Sequence, residues 1–323
     1  MIRILIKSTF ICVLFAFNCS SPLLNKNNIK TNTSLRGCLQ YYAFANQGYC
    51  FYKSGDIDSA AIYYSKAFEV RKEGCNVTPK RNDQFIFAKC HLKKGNETQA
   101  KYYLEEAIKR GGLTKEQILE DSILNLFNQS NYAEDIITSH DSLKAIWEKK
   151  LNKSLRDEVK LMAEKDQLYR DTKEYAPVDS LKKWQKEIDF YNEKRLSEII
   201  KNYGFPGYNQ IGSTSANIIL LHTTKEFRDS IFTILYEDID KGFINPSVVG
   251  GMIDQMMFLT DKQQRYGSLF KRNSLGYREY LDFEFDNIDS INVKRKSLGI
   301  TSLECHSMEY EIELPYFFGK FNH

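Results

Sequence analysis

One histidine of this sequence stands where a side chain could take part in acid–base chemistry. His222 follows residues 212–221, a segment that predicts a helix with apolar side chains on nearly every side. Such a helix belongs in the centre of a core, and an imidazole near a carboxylate can act as a general base. The sequence contains no GxGxxG, P-loop, HExxH or GxSxG signature and no cysteine pair at metal-ligand spacing. It therefore offers a candidate position without a recognisable reaction.

A second predicted helix precedes this segment. Leu196, Ile199 and Ile200 recur at helical spacing and give that helix one apolar face. Gly204 and Pro206 end it, because glycine accepts a positive φ and proline cannot continue the backbone hydrogen bonds. We therefore expect two packed helices joined by a tight turn, with His222 at the end of the second.

Several short motifs follow in the second half of the chain. They are Gly204-Phe205-Pro206, Leu221-His222, Asp254-Gln255, Gln264-Arg265-Tyr266-Gly267-Ser268-Leu269, Asp286, Asn292-Val293-Lys294-Arg295 and Leu298-Gly299-Ile300, with Met162, Asp166 and Gln167 upstream. The series resembles an uncharacterised bacterial family, a domain of unknown function with a Gly-Trp/Phe-Pro turn and a buried helix ending in Gln-His. The resemblance implies a fold and a residue set rather than a reaction.

The resemblance also implies six candidate site residues. The catalytic candidates are His222, Asp254 and Tyr266, and the binding candidates are Gln264, Asp286 and Arg295. In one interpretation His222 is a general base beside Asp254, and the other side chains bind an oxyanion or orient a polar substrate. In the alternative, His222 is a core histidine hydrogen-bonded to Asp254 or Tyr266, and the polar set holds helices together.

This chain departs from the family pattern at four positions. Gln255 stands in place of an arginine and Leu269 in place of a glutamine. Asn292 and Lys294 stand in place of an aspartate and an arginine. We expect such losses where an activity has decayed or where the motif is structural.

The first eighteen residues predict an export signal. Arg3 and Lys7 precede a short apolar run over residues 10–17, which is too short to span a membrane as a stable helix. Cys19 follows in an arrangement that resembles a bacterial lipobox, and the resemblance implies cleavage before Cys19 and its acylation. The alternative is an ordinary secretory signal cleaved nearby. Residues 19–35 are polar and aperiodic, as in a flexible tether.

Residues 36–140 contain an internal repeat. Its two copies carry Gly48, Phe51, Gly55, Ala60, Tyr64 and Ala67, and then Ala88, His91, Gly95, Ala100, Leu104 and Ala107. These residue types at these spacings resemble tetratricopeptide repeats, and the two copies are 40 residues apart. Because two repeats cannot bury their faces alone, we expect capping helices over residues 118–126 and 132–137.

Residues 141–323 predict a second domain built from amphipathic helices. Near its end, residues 309–314 alternate acidic and apolar side chains, which indicates a short edge strand. The predicted fold class is therefore mainly α, with tetratricopeptide-type helical repeats followed by an α-helical domain with minor extended segments.

The cysteines leave two alternatives open. Cys38, Cys50, Cys75 and Cys90 lie in the repeat region, far in sequence from Cys305. An even set of four could form disulfides outside the cytoplasm. Two of them, Cys50 and Cys90, take equivalent repeat positions on helices, which favours buried free thiols.

A second short motif occurs six times, as Asp-Ser followed by an apolar residue. It resembles the acceptor for general O-glycosylation of exported proteins in some Gram-negative lineages. The candidate acceptors are Ser59, Ser122, Ser142, Ser180 and Ser290, and Ser230 is the poorest because it falls inside a predicted helix. The alternative is that these dipeptides are helix N-caps.

Two functions from different classes remain. The net charge of +3 is spread along the chain, which gives no basis for nucleic-acid binding, and no cofactor or metal is predicted. The first function is an interaction module, tethered to the outer membrane through Cys19, whose repeat groove binds a protein or peptide. The second is an envelope hydrolase-like enzyme, degenerate in this chain, that uses His222 and Asp254. A pocket joining the site residues would favour the enzyme, and their burial in hydrogen bonds would favour the module.

Overall fold

The structure, a computed structural model, describes residues 37–71, 75, 82–127, 131–171, 178–260, 262–281, 288–312 and 314. The helices are α1 (Gly37–Ser54), α2 (Ile57–Val70), α3 (Asp83–Lys93), α4 (Glu97–Gly111), α5 (Lys115–Leu119), α6 (Ser122–Phe127), α7 (Asn131–Glu148), α8 (Lys153–Asp171), α9 (Val178–Tyr203), α10 (Tyr208–Ile211), α11 (Ser215–His222), α12 (Lys225–Lys241), α13 (Pro246–Phe258), α14 (Ile288–Leu298) and α15 (Leu303–Tyr310). Strands β1 (Phe270–Arg272) and β2 (Arg278–Tyr280) form an antiparallel pair between α13 and α14. The prediction of a mainly α fold is confirmed. Across these ranges, no helix has both the length and the apolar character that crossing a bilayer requires.

The first four helices form two consecutive helical hairpins. Gly55 and Gly95 lie in the turns with φ of 88° and 71°, a region of backbone conformation that favours glycine. Ala60 and Ala100 are fully buried, and a Cβ at Gly48 would lie 3.0 Å from a tyrosine ring of α2. The hairpins predicted by the internal repeat are therefore present, while membership of the tetratricopeptide family stays a prediction.

Helices α5, α6 and α7 pack on the second hairpin. Ile118, Leu124 and Ile136 are buried in one cluster with Leu104 and Ala107 of α4. Both capping segments predicted from the sequence thus contribute to the core beside the repeats.

Helix α11 lies at the centre of the second half of the chain, as its composition predicts. It packs against α8, α9 and α13, and Ala216, Ile219 and Leu220 are buried. The turn before α10, the short helix that precedes α11, also needs glycine, because a Cβ on Gly207 would lie 1.5 Å from the carbonyl oxygen of Phe243. This packing fixes the position of His222 at the end of the helix.

The core runs across the domain boundary expected at residue 140. Helix α1 packs against α12 and α15 as well as against α2. The amide of Asn46 donates to the carbonyl of Gly299 over 2.5 Å. The segment Leu35–His323 accordingly forms one compact unit.

Two cysteine pairs reinforce this unit. Cys38 pairs with Cys75, and Cys50 pairs with Cys305, in each case with Cα atoms 5.3 Å apart. The interpretation of Cys50 as a free thiol is therefore wrong, because α1 turns that residue toward α15 rather than into the hairpin. Cys90 is buried and free, as predicted.

The end of the chain differs from the predicted edge strand. Helix α15 continues through Tyr310, and among the described residues of the segment Ile312 alone pairs with a strand, in an isolated bridge to Arg278. The prediction is wrong for the start of the segment, because alternation over six residues does not separate a strand from a short helix.

Candidate functional site

The imidazole of His222 bonds to a carboxylate from a distant helix. Its Nδ1 lies 2.7 Å from Oδ2 of Asp166 on α8. The prediction that His222 pairs with Asp254 or Tyr266 is wrong. The end of α11 faces α8, and Asp254 instead accepts hydrogen bonds from the loop after α13. In the sequence, Asp166 stands out only as part of an upstream motif with Met162 and Gln167.

Asp166 is fully buried and strongly hydrogen-bonded. Besides His222, its Oδ2 accepts from Nε2 of Gln167 at 2.6 Å and from Nε of Arg170 at 3.2 Å. Burial raises the pKa of the Asp166 carboxyl, but the hydrogen bonds from His222 and Arg170 outweigh burial, so the pKa lies below its ordinary value. The ionised carboxylate accepts a hydrogen bond from the N–H at Nδ1 of His222. In this tautomer of the neutral ring, Nε2 is the nitrogen that can accept a proton.

The network continues from α8 to α9. Nη2 of Arg170 donates to Oδ1 of Asp189 at 2.6 Å, and the Gln185 amide donates to the same oxygen at 2.9 Å. The side chain of His222 is 25% exposed, so solvent or a ligand can reach the ring. Among the described residues no hydroxyl or thiol bonds to Nε2 of His222, so the cluster supplies an oriented base without a neighbouring nucleophile.

Asp254, on α13, has a structural role. Its fully buried carboxylate accepts from the backbone N–H of Arg265, Tyr266 and Ser268, at 2.7, 2.9 and 2.8 Å, and from the Ser268 hydroxyl at 2.7 Å. Burial raises the pKa of Asp254, and these four hydrogen bonds oppose the rise. The carboxylate thus holds the loop that follows α13.

Arg295 and Gln264 hold the same loop from other sides. The guanidinium of Arg295 donates to the carbonyls of Tyr266 and Thr301, and burial lowers its pKa to about 10. The Gln264 amide accepts from the N–H of Leu269 at 2.8 Å and donates to the carbonyl of Leu281 at 3.1 Å. Tyr266 is 6% exposed and Arg295 is 2% exposed, so neither presents a surface to a ligand.

The departures from the family pattern fit this structural role. The backbone of Leu269, rather than its side chain, meets Gln264. Asn292 accepts from the N–H of Leu303 at 2.8 Å at the start of α15, and Lys294 is exposed. A different side chain at these positions would leave unchanged the hydrogen bonds that hold the loop after α13.

Five of the six candidate residues lie in the described ranges, and they separate into two groups. His222 belongs to the network with Asp166, Arg170 and Asp189, whereas four others surround the loop after α13. The four are Asp254, Gln264, Tyr266 and Arg295. Asp286 lies outside the described residues. The i, i+4 spacing of Asp166 and Arg170 was the available sequence signal for the His222 network.

The candidate glycosylation acceptors all lie within helices. Ser122, Ser142 and Ser290 are exposed, while Ser59 and Ser180 are half-buried. One of the dipeptides is a helix start, since the Asp121 carboxylate accepts from the two N–H groups at the beginning of α6. Modification at these serines stays a prediction.

A separate cavity of about 330 Å³ lies between α2 and α4, beside the start of α3. Phe68, Arg71, Gln84, Tyr102 and Tyr103 line it together with two glutamates. It shares no residue with either group of candidate site residues, and it has both aromatic and polar walls.

Neither a metal cluster nor a known relative identifies the site. The described ranges contain no group of three histidine, cysteine or acidic side chains placed to hold a metal ion. Comparisons with family models, curated proteins and solved structures found no match for this chain. The resemblance to an uncharacterised family accordingly stays a prediction, and the geometry of the side chains carries the functional argument.

Proposed function

We propose that this chain is an exported lipoprotein, anchored to the bacterial outer membrane through Cys19, that acts as an interaction module for a protein or peptide. The order of charge, apolar run and cysteine in the leader supports the anchor. The paired cysteines, Cys38 with Cys75 and Cys50 with Cys305, support an oxidising compartment such as the cell envelope.

One observation carries the choice of a module over the predicted hydrolase. Asp254 is fully buried, and all four of its hydrogen bonds go to the loop after α13. A carboxylate in this position cannot reach a substrate or orient His222. Burial of two of the three predicted catalytic residues, Asp254 and Tyr266, favours the module over the predicted hydrolase.

The partner would bind on the second helices of the hairpins. The face of α1 that carries Asn46 and Cys50 is covered by the C-terminal part of the same chain. Helices α2 and α4, by contrast, leave a cavity between them, and Tyr102 at this cavity is 53% exposed. Aromatic side chains beside a concavity are typical of binding surfaces.

Site-specific crosslinking tests this location. A photoreactive benzoylphenylalanine would replace Tyr102 in cells that make the full chain, and Phe190 of α9, which is 65% exposed, would serve as the matched control. We expect one discrete adduct from position 102, identified by mass spectrometry, and none from position 190. Equal crosslinking at both positions, or none at 102, would reject the module on this face.

The membrane anchor has its own test. Cells fed an alkyne fatty acid should label the wild-type chain and retain it in the membrane fraction. Cys19→Ala should lose both the label and the membrane retention. Equal labelling of Cys19→Ala would show that the anchor assignment is wrong.

A hydrolase that uses His222 with Asp166 is the second candidate function. The 2.7 Å contact from Nδ1 to the carboxylate leaves Nε2 as an oriented base on a partly exposed ring. A panel of chromogenic esters, phosphates and glycosides would test it. Turnover that His222→Gln and Asp166→Asn both abolish, while each variant keeps the wild-type circular dichroism spectrum, would favour this function, and its absence from the wild type would count against it.

A further inference from the structure

Two residues that line the cavity between α2 and α4 carry nitrogen donors without a hydrogen-bond partner among the described residues. Gln84 is 1% exposed, and the two donors are its Nε2 and Nη1 of Arg71. Leaving a buried donor unsatisfied costs free energy, because the donor has lost its hydrogen bonds to water. A bound group with acceptor oxygens would offset that cost. The two unpartnered donors therefore indicate a ligand-binding site.

Arg71 adds a positive charge that no carboxylate contacts directly. Within the described ranges its guanidinium makes no ion pair, although Glu106 attracts it from a longer distance, and it lies 5.1 Å from the ring centroid of Phe68. Arg71 is half-buried, and burial lowers its pKa. A half-buried guanidinium without a directly bonded carboxylate favours an anionic partner.

The acidic residues of the cavity limit the charge of that partner. Glu106 is already bonded to Arg110, with Nε of the arginine 2.5 Å from its carboxylate, and Glu69 is exposed at the edge. Both glutamates would repel a dianionic phosphate more strongly than a singly charged carboxylate. The walls formed by Phe68 and Tyr103 suit an apolar or aromatic group attached to the anion.

We propose that this cavity binds a carboxylate with an attached apolar group, with Arg71 and Gln84 donating to its oxygens. The carboxylate would come from the C-terminus or an acidic side chain of a peptide, or from a small free acid. This assignment rests on the proposed function, because it gives the chemistry of the partner that the face of α2 and α4 binds. A guanidinium and an amide together satisfy both carboxylate oxygens.

Nuclear magnetic resonance titration of the full chain in detergent, with the Gln84 side-chain amide as reporter, tests this proposal. Phenylacetate should shift that resonance saturably, whereas the neutral analogue phenylacetamide and the dianion phenyl phosphate should bind at least about tenfold more weakly, which corresponds to ~1.4 kcal/mol. Equal or tighter binding of either analogue would overturn the assignment. N-acetylphenylalanine and N-acetylaspartate amide then distinguish a chain terminus from an acidic side chain by which one binds more tightly.

Variants connect binding to the two donors. Arg71→Gln and Gln84→Met should each weaken phenylacetate binding by about tenfold or more, with shifts read from the cavity tyrosines where Gln84 is replaced. Lys66→Gln removes a charge from the exposed face of the same helix and should bind as the wild type does. Unchanged affinity in either cavity variant, with a wild-type amide spectrum, would overturn the proposal.

The outcome also separates this proposal from the proposed function. A crosslinked partner at position 102 that persists in Arg71→Gln would reject the carboxylate and keep the interaction module. Saturable phenylacetate binding without any crosslinked partner would keep the carboxylate site and reject the module.

Discussion

His222 and Asp166 are 56 residues apart in the sequence and meet through a 2.7 Å contact between Nδ1 and Oδ2. The contact joins the end of the apolar helix α11 to a fully buried carboxylate on α8. Because Arg170 carries the network on to Asp189, three helices share one polar junction. The histidine therefore hydrogen-bonds to a buried charge. This structural role is compatible with a second role for the exposed part of the ring as a base.

Replacement of His222 tests this structural role. His222→Ala removes one of the hydrogen bonds to Asp166, and we expect the free energy of unfolding to fall by about 1–3 kcal/mol. His222→Gln keeps an N–H donor and should recover part of the loss. Urea unfolding at pH 7 measures both. If the free energy of unfolding of His222→Ala equalled that of wild type, the pair would contribute little to stability, and the hydrolase alternative would gain support.

The Asp254 carboxylate offers a graded series of predictions. Ser268→Ala removes one of its four hydrogen bonds and should cost about 1 kcal/mol. Asp254→Asn points an amide donor at backbone donors, so we expect a loss on the order of 3 kcal/mol and faster proteolysis in the loop after α13. The exposed Lys294 provides the control, because Lys294→Ala should leave stability unchanged. Equal stability of Asp254→Asn and wild type would contradict the structural role.

Local sequence signals predicted the positions of these groups better than their partners. The apolar helix α11 and the turn glycines Gly55 and Gly95 can each be recognised from a few neighbouring residues, and each lies where it was predicted. The partner of His222 could not be predicted from the sequence, because periodicity shows which face of a helix is buried but not which polar groups meet there. The role of Asp254 depends on where a later loop folds back, which is again a tertiary contact.

The cysteines show the same limit. The internal repeat placed Cys50 and Cys90 in equivalent positions, yet only Cys90 keeps a free thiol. The difference arises because α1 packs against α15, the helix that carries Cys305, whereas α3 packs against α1, α2, α4 and α6. A repeat pattern describes what its copies share, so a contact made by one copy alone lies outside it.

Burial of His306 predicts a pH dependence of stability. The ring is 8% exposed and bonds to the Tyr280 hydroxyl, and burial, with the nearby charge of Arg295, lowers the pKa of His306 to about 3. The unfolded histidine titrates near 6.5, so the unfolded state binds more protons between about pH 6.5 and pH 3. The free energy of unfolding should therefore fall as the pH is lowered through this window, by at most about 1.4 kcal/mol per pH unit from this residue.

Denaturant unfolding at several values of pH checks this expectation. His306→Phe has a similar volume and no titrating ring, so its stability should fall less steeply than that of wild type between pH 6.5 and 4.5. The difference between the two curves cancels the contribution of the other titrating groups. Parallel curves would show that His306 does not carry the predicted dependence.

The bond between Cys50 and Cys305 should stabilise the chain strongly, because it closes a loop across a sequence separation of 255 residues. Restriction of the unfolded chain by such a bond is worth about 2–5 kcal/mol. Cys50→Ala and Cys305→Ala should each lose about this amount, and the double variant should lose no more than either one, since all three lack the same bond. Peptide mapping of the unreduced chain should recover the linked pair, with Cys90 the alkylated thiol among the five cysteines from Cys38 onward. Alkylation of Cys50 without a reductant, or additive losses in the double variant, would show that α1 and α15 are not joined in this way.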